Sequence, residues 1–181
     1  MRLFTTALLF VIAIPAFPQI TRKEVTKPTT PEEDAKGLSA GVPDAFAVSS
    51  QIERVVLVRF KNQADLLAGL EQQVRDQKIQ NAVILSGAGS VLRTHYHVVS
   101  NRTFPSKNLY TENPQASADI INVSGYVLKG KIHAHLTFAD PDKAYGGHLE
   151  SGTKVFTFAI ITLGVLPDSL DLSRFDDKTF R

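Results

Sequence analysis

The chain contains no cysteine among its 181 residues. Disulfide bonds and thiolate metal sites are therefore excluded, and any metal must be bound by histidine, carboxylate or backbone groups. The chain also has little excess charge of either sign, with 20 basic residues against 18 acidic ones and a net charge of +2. This balance gives no argument for a polyanionic partner, so we do not expect specific binding of nucleic acid.

The N-terminus lacks an apolar run long enough for a comfortable membrane span, which needs about 20 residues. Its apolar run covers residues 3–14, follows the positive charge of Arg2 and is followed by Pro15 and Ala16. This order is typical of a secretory signal peptide. We expect residues 1–19 to be removed and the mature protein to be exported, either periplasmic or secreted, without a membrane span. An uncleaved N-terminal anchor is the alternative.

The rest of the chain is predicted to form one domain between two loose segments. Residues 20–49 are rich in Thr, Pro, Lys and Glu and have too few apolar residues to offset the entropy of ordering them, which predicts a disordered linker. Hydrophobic residues make up 43% of the chain, enough to build a core. We expect the folded domain over residues 50–168 and a charged, loosely held tail over residues 169–181.

Hydrophobic patterning within this domain predicts one helix and several strands. Apolar residues at helical spacing, among them Leu66, Leu70 and Val74, predict a helix over residues 64–77, with Asn62 as a candidate cap. Strands are predicted over residues 54–60, 81–86, 90–100, 119–129, 131–139 and 153–166, with loops over 103–115 and 140–147. The order predicts an α+β fold, a mostly antiparallel sheet packed on one main helix.

Three of the five histidines are close together in the sequence. His133 and His135 alternate on a predicted strand, which places both side chains on one face, and His148 follows Gly146-Gly147, where the backbone can turn sharply. Three imidazoles leave a fourth position open for water or substrate, as in catalytic zinc sites. The alternative is that the strand histidines face solvent and His148 caps a loop.

His95 and His97 form a second alternating pair on a predicted strand. A second metal site is one interpretation, but no third ligand is obvious. We favour the two others, in which the pair is exposed on the strand or lines the mouth of the first site. Acidic residues near the first site could orient imidazole N–H groups or could simply be solvated loop charges. These residues are Asp140, Asp142 and Glu150.

The region from about residue 52 to residue 166 resembles the PPC domain family. The motifs that carry the resemblance are His133-Ala134-His135, Asp140-Pro141-Asp142, Gly146-Gly147-His148-Leu149, Gly152 and the apolar run 155–163, with weaker matches at 57–60 and 84–91. The resemblance implies a compact α+β domain that is usually a homotrimer. In several prokaryotic members the three histidine positions bind a metal, commonly zinc, and these positions correspond here to His133, His135 and His148.

The fold of this family is also similar to that of acetolactate decarboxylase, which binds zinc through a comparable histidine set, although fold-level analogy transfers no activity. Two positions depart from the family pattern, because Ala159 and Asp119 each stand where a Glu is usual. Plant members carry an Arg-Gly-Arg motif for the DNA minor groove, and this chain has none.

Three classes of function remain open at this point. We expect a metal-binding domain with a divalent metal, zinc above others, that takes a small-molecule ligand or has a metalloenzyme activity. The alternatives are a trimeric interaction or scaffold module and a DNA-binding protein. Catalytic residues are not assigned, because no general acid or base can be named from the sequence.

Overall fold

The computed structural model describes residues 18–26 and 41–175, so nearly all of the predicted signal peptide lies outside the described residues. The strands are β1 Thr21–Thr26, β2 Arg54–Lys61, β3 Asn81–Val99, β4 Lys107–Asn113, β5 Ala118–Leu128, β6 Lys131–Ala139, β7 Ala144–Leu149 and β8 Lys154–Leu166. One helix, α1 Leu66–Asp76, occurs in the described ranges. The predicted α+β class, mostly antiparallel sheet with one helix, is confirmed. None of the described helical segments has the length and apolar character needed to cross a membrane.

The long strand β3 organises the sheet. Its first half pairs with β5 on one side and with β8 on the other, and its second half pairs with β4 and β7. Strands β5, β6 and β7 follow one another as antiparallel neighbours, and β7 then returns to β3. The sheet therefore curls back on itself, while β1 extends it beyond β4 and β2 extends it beyond β8.

Strand β3 differs from the sequence prediction, which placed two separate strands over residues 81–86 and 90–100. The structure has one strand whose register with β8 shifts between Ile84 and Ser86 and again between Gly89 and Val91. A Cβ added at Gly87 would overlap the Val123 side chain of β5. The glycines therefore allow neighbouring strands to approach closely at β-bulges, and they do not reverse the direction of the chain.

Three strands occupy segments that were predicted to be irregular. Strand β1 lies in the predicted linker, β4 in the predicted loop 103–115, and β7 in the predicted connection 140–147 and beyond it. All six residues of β1 are exposed, so no apolar alternation reveals it, and its ladder with β4 is a backbone interaction. Strand β7 contains two glycines, which are depleted in strands, so its composition favours a loop.

Helix α1 begins two residues later than predicted and uses a different cap. The Asp65 carboxylate accepts the N–H of Ala68 at 3.1 Å, whereas the Asn62 amide donates to the Phe156 carbonyl. Leu66 and Leu70 are fully buried in the core, and burying such a side chain stabilises the fold by about 1.5–3 kcal/mol.

The core also contains side chains of the two strands that carry the candidate site. Phe138 of β6 is 0% exposed and Leu149 of β7 is 1% exposed. Each belongs to the continuous apolar cluster that includes the buried residues of α1. Because side chains alternate along a strand, residues next to these anchors, such as His148, project to the opposite face of the sheet.

Candidate metal centre

A row of histidines crosses three neighbouring strands. His135 of β6 is paired with His148 of β7, and His148 is paired in turn with His97 of β3. Directly paired residues of antiparallel strands project to the same face. His133 lies two residues before His135 and therefore projects to this face as well. The strand register thus brings together histidines that are up to 51 residues apart in the chain.

The three histidines predicted as metal ligands converge. The Nε2 atoms of His133 and His135 are 3.3 Å apart, and the ring centroid of His148 lies 4.9 Å from that of His133 and 5.1 Å from that of His135. One ring nitrogen from each lies within 4.8 Å of the others. Ligand nitrogens of tetrahedral zinc, bound at about 2.0–2.1 Å, lie about 3.3–3.4 Å from one another. The donor set therefore fits a metal after small side-chain shifts.

The Gly146-Gly147 pair places His148 in a strand rather than in a loop, so the loop expectation for His148 is wrong. Gly147 has φ +156°, and a Cβ on it would overlap the His97 carbonyl oxygen of β3. A Cβ on Gly146 would overlap the Leu136 carbonyl oxygen of β6. Strand β7 fits between β6 and β3 because these two positions lack side chains.

His97 lies beside the three-histidine cluster, whereas His95 makes other contacts. The His97 ring is 4.6 Å from the His148 ring, and its Nδ1 lies 2.6 Å from Glu150 Oε1. His95 Nδ1 lies 2.6 Å from the Ser151 carbonyl oxygen. Of the two residues in the predicted second pair, His97 is therefore the one at the edge of the candidate metal centre.

The acidic residues that flank the motif have different roles. Glu150 binds an imidazole, although it is that of His97 and not one of the three candidate ligands. Asp140 accepts the backbone N–H groups of Asp142 and Lys143, both at 2.9 Å, and so shapes the turn before β7. Of the three acidic candidates, Glu150 is the one for which the structure gives a direct bond to a histidine.

Burial, with smaller contributions from His133 and His97, lowers the pKa of His135. Both causes disfavour the protonated ring, because burial removes water that would solvate its charge and the neighbouring imidazoles, when charged, repel it. The neutral imidazole is the form that binds metals. The electrostatic environment of the cluster therefore favours the ligating state of His135.

Two tyrosines beside the cluster were not predicted from the sequence. The Tyr126 ring of β5 lies 5.0 Å from the His133 ring, and the Tyr110 ring of β4 lies 4.7 Å from the His97 ring. Each tyrosine is paired in register with the histidine it contacts. Aromatic residues in strands usually indicate only strand formation, and the register that places these two at the site is not readable from the sequence.

Two open grooves lie near the row of histidines. A groove of about 380 Å³ includes His135, with Asn122, Ser124, Thr137 and Tyr145 among its polar lining residues. A second groove of about 360 Å³ is lined by Thr21, Lys23, Val25, His95, Tyr110 and Glu112. The first groove contacts a candidate metal ligand and has the size of a small-molecule site.

The two departures from the family pattern lie on strands that do not carry the three histidines. Ala159 of β8 is fully buried and paired with Gly89, where even one added Cβ would contact Ala159. Asp119 of β5 is paired with Ala139 and lines a separate open groove. Neither replacement alters the histidine set itself.

The sequence pattern of the Plants and Prokaryotes Conserved (PCC) domain family matches residues 47–167. The chain belongs to this family. The resemblance to the PPC domain inferred from the histidine motifs is thereby confirmed. Strand β1, at residues 21–26, lies outside the matched region and adds to the family domain an edge strand that the sequence pattern does not cover.

Solved structures with a similar fold include three prokaryotic proteins. A plant- and prokaryote-conserved (PPC) protein from Pyrococcus horikoshii has a TM-score of 0.52 and 21% identity, covering 68% of this chain and 85% of its own. A metal-containing protein from Archaeoglobus fulgidus has a TM-score of 0.57 and 22% identity, covering 67% and 86%. A putative DNA-binding protein from Bacteroides thetaiotaomicron has a TM-score of 0.53 and 18% identity, covering 64% and 80%. At these identities the similarity shows the fold alone.

The chain is also similar to the bifunctional protein GlmU of Synechococcus sp. strain JA-3-3Ab, with 31% identity over 136 residues. The match covers 74% of this chain but 20% of that protein, so the chain spans about a fifth of its length. The corresponding protein of strain JA-2-3B'a(2-13) is 30% identical over 105 residues, which are 16% of its length.

Proposed function

We propose that this protein binds one divalent metal ion through His133, His135 and His148, with zinc as the ion that the ligand set favours. The observation that carries the proposal is the convergence of the three ring nitrogens within 4.8 Å of one another. Three imidazole ligands without thiolate suit zinc and leave a coordination position open. The name of the metal-containing structural neighbour from Archaeoglobus fulgidus supports the proposal.

The open position would take a small-molecule ligand. The groove beside His135 gives such a ligand room, about 380 Å³, and its lining mixes hydroxyl and amide side chains with backbone. A metal held in this way can polarise a ligand oxygen or activate a bound water, which is the chemistry that a metalloenzyme activity would draw on. In this arrangement the three histidines hold the metal, and the groove side chains orient the ligand.

Metal analysis of the purified protein tests this proposal. We expect about one metal equivalent per chain. We expect His148→Ala to weaken metal affinity by at least about 100-fold, because removing even a residue that only supports a metal ligand typically costs about 10- to 100-fold. His148→Ala should keep the sheet, because the strand ladder uses backbone groups. His95→Ala is the matched control on the same face and should retain the metal. A metal-free wild-type protein that takes up no added zinc would exclude the site.

We also propose that the protein forms a homotrimer, because one sheet face exposes several large apolar side chains. Val55 and Leu57 of β2 are 53% and 70% exposed, and Phe158 and Ile160 of β8 are 44% and 36% exposed. The pairing of β2 with β8 places these side chains on one outer surface. Contiguous apolar patches on soluble proteins mark interaction sites. The family resemblance implies that the binding partners at this surface are further copies of the same chain.

Export is a further proposal, and it rests on the sequence of residues 1–19, which are almost entirely outside the described part of the structure. Intact-mass analysis of the mature protein should show that these residues have been removed. A mature protein that retains Met1 in the cytoplasm would contradict it.

DNA binding is the alternative that the names of structural neighbours raise, as with the Bacteroides protein. The net charge of +2 offers few cations for phosphate neutralisation, and the chain has no Arg-Gly-Arg motif. We expect a gel-shift titration at physiological salt to show only weak binding without sequence preference. A tight, sequence-selective complex would favour the DNA-binding alternative instead.

A further inference from the structure

Strand β1 extends the sheet face that carries the row of histidines. Within that row His97 is paired with the proposed ligand His148. Tyr110 of β4 is paired with His97, and Lys23 of β1 is paired with Tyr110. Directly paired residues of antiparallel strands project to the same face. A strand that lies outside the matched family region therefore adds a basic side chain to the face of the proposed metal centre.

Strand β1 also builds one wall of the groove of about 360 Å³ on this face. Three of the six residues that line the groove are alternate residues of β1, namely Thr21, Lys23 and Val25. Tyr110 lines the same groove, so the groove joins the row of histidines at its β4 end. Half of the lining therefore comes from a segment that the family pattern does not cover.

The opposite face of β1 attaches the strand to the sheet. The Ser100 hydroxyl donates to Glu24 Oε1 at 2.9 Å, and Lys107 Nζ lies 3.5 Å from Glu24 Oε2. All six residues of β1 are paired with β4. Because side chains alternate along a strand, Glu24 and Lys23 project to opposite faces. The contacts of Glu24 therefore fix the position of β1 while Lys23 remains on the groove side.

Lys23 brings a positive charge to the groove that the described carboxylates leave without an ion pair. The side chain is exposed, and the ion pairs found within residues 18–26 and 41–175 do not include it. Glu112, the carboxylate that lines the same groove, is bonded to Arg93. A lysine ammonium binds carboxylate and phosphate groups as a point charge. The charge of the groove thus favours an anionic group beside Lys23.

Building on the proposed metal site, we propose that Lys23 binds an anionic group at the far end of the ligand whose oxygen occupies the open coordination position. Lys23 and His148 lie three strand spacings apart in the row, so their backbones are separated by roughly 14 Å. The flexible four-carbon stem of lysine shortens the gap that the ligand must span. The selected class consists of elongated molecules with a metal-binding oxygen at one end and a carboxylate or phosphate at the other.

Two probes that differ at their far end test this selectivity on the cobalt-loaded protein, whose visible spectrum reports binding at the metal. Suberate monohydroxamate and octanohydroxamate have the same chain length and the same chelating group, but the first ends in a carboxylate and the second in a methyl group. An exposed ion pair of ordinary strength corresponds to about a 2- to 5-fold difference in affinity. We expect the preference for the carboxylate probe to fall by about this factor in Lys23→Met, which keeps a long flexible side chain without the charge.

Lys23→Glu should lower the preference further, because the new carboxylate repels that of the probe. Added salt should also lower the preference in the wild-type protein, since an exposed ion pair is screened. Cobalt affinity should remain at the wild-type value in both variants. Succinate monohydroxamate, whose chain is too short to reach from the metal to Lys23, should bind equally well to wild type and Lys23→Met.

Arg22→Met is the matched control. Arg22 is the preceding residue of the same exposed strand and projects to the opposite face, so this variant removes one positive charge without changing the groove. We expect it to keep the wild-type probe preference. Both positions are exposed, so both methionine variants should fold, and their melting temperatures check this.

The possible outcomes separate the two proposals. A wild-type protein that takes up no cobalt removes the metal site and this inference with it. Cobalt uptake with an unchanged probe preference in Lys23→Met overturns the inference but leaves the metal site standing. An equal fall in Arg22→Met, or an equal loss of affinity for succinate monohydroxamate in Lys23→Met, would show that net charge sets the preference, and would overturn the inference as well.

Discussion

His135 is the exposed member of the three candidate ligands, with His133 and His148 half-buried. Its pKa is nevertheless lowered, first by burial and then by the neighbouring His133 and His97 rings. Both neighbours are imidazoles, and their positive charge would repel a second one, so the neutral form of His135 is favoured.

The lowered pKa of His135 predicts that the metal-free fold loses stability in mild acid. The unfolded chain takes up a proton at His135 as pH falls through about 6.5, whereas the folded protein does so only at lower pH. The unfolded state therefore binds more protons, and the free energy of unfolding falls as pH decreases below that value. Melting temperatures of metal-free protein between about pH 7.5 and 5.5 should show this fall.

His135→Gln should make the melting temperature less dependent on pH over the same range, and His95→Gln is the control that should not. Equal pH dependence in wild-type protein and His135→Gln would contradict the prediction. The same protonation should release the metal, because a protonated imidazole cannot bind it.

At the scale of single elements, strand β7 decides whether the site exists. It is a short strand whose inner residue Leu149 is anchored in the core, and whose pairing with both β6 and β3 depends on the two glycines that precede His148. Its neighbours β6 and β3 supply the other imidazoles. A change that moves β7 by a fraction of a strand spacing would separate His148 from His135 and His97.

Gly147→Ala is predicted to weaken metal binding and the fold together. The added methyl would overlap the His97 carbonyl oxygen, and φ +156° is unfavourable for alanine. We expect a loss of about 1–3 kcal/mol in the free energy of unfolding, measured by urea denaturation, and a lower metal affinity in a zinc titration.

Gly130→Ala is a matched control for Gly147→Ala. Gly130 also has a positive φ, +74°, but a Cβ there has no neighbouring heavy atom closer than 3.9 Å. This control should cost about 1 kcal/mol from backbone strain alone and should leave metal affinity unchanged. Wild-type metal affinity in a folded Gly147→Ala protein would show that the position of β7 does not control the site.

At the scale of the whole molecule, the sheet has one face on the core and helix and one outer face that remains partly apolar. Leu57, Phe158 and Ile160 lie on the outer face together with Phe156, which is 52% exposed. Phe156 and Phe158 also line an open groove of about 840 Å³. This surface lies on β2 and β8, whereas the candidate ligands lie on β6 and β7, so assembly and metal binding can be tested separately.

Sedimentation equilibrium is predicted to give a mass of three chains for the wild-type protein. Phe158→Asp should shift the protein toward the monomer, because a carboxylate buried at an apolar interface is costly. Val99→Asp, at a position that is 66% exposed at the end of β3, is the control and should leave the mass unchanged. A wild-type monomer at micromolar concentration would contradict the prediction.

The sequence by itself determined the fold class, the helix and the identity of the histidine cluster. Leu66, Leu70 and Val74 follow the 3.6-residue period of a helix, and their burial confirms what that spacing predicted. The motif His133-Ala134-His135 places two imidazoles on one face for a purely local reason, the two-residue repeat of a strand. The absence of cysteine restricted the candidate ligands to histidine, carboxylate and backbone groups.

Only the tertiary structure decided which residues surround that cluster and which segments are strands. Strands β1, β4 and β7 carry no clear apolar alternation, and they are ordered by backbone pairing with neighbours distant in sequence. The position of His97 beside His148, and of Glu150 beside His97, follows from strand register. Register depends on the packing of the whole sheet, so local sequence patterns, which carry information over a few residues, could not specify it.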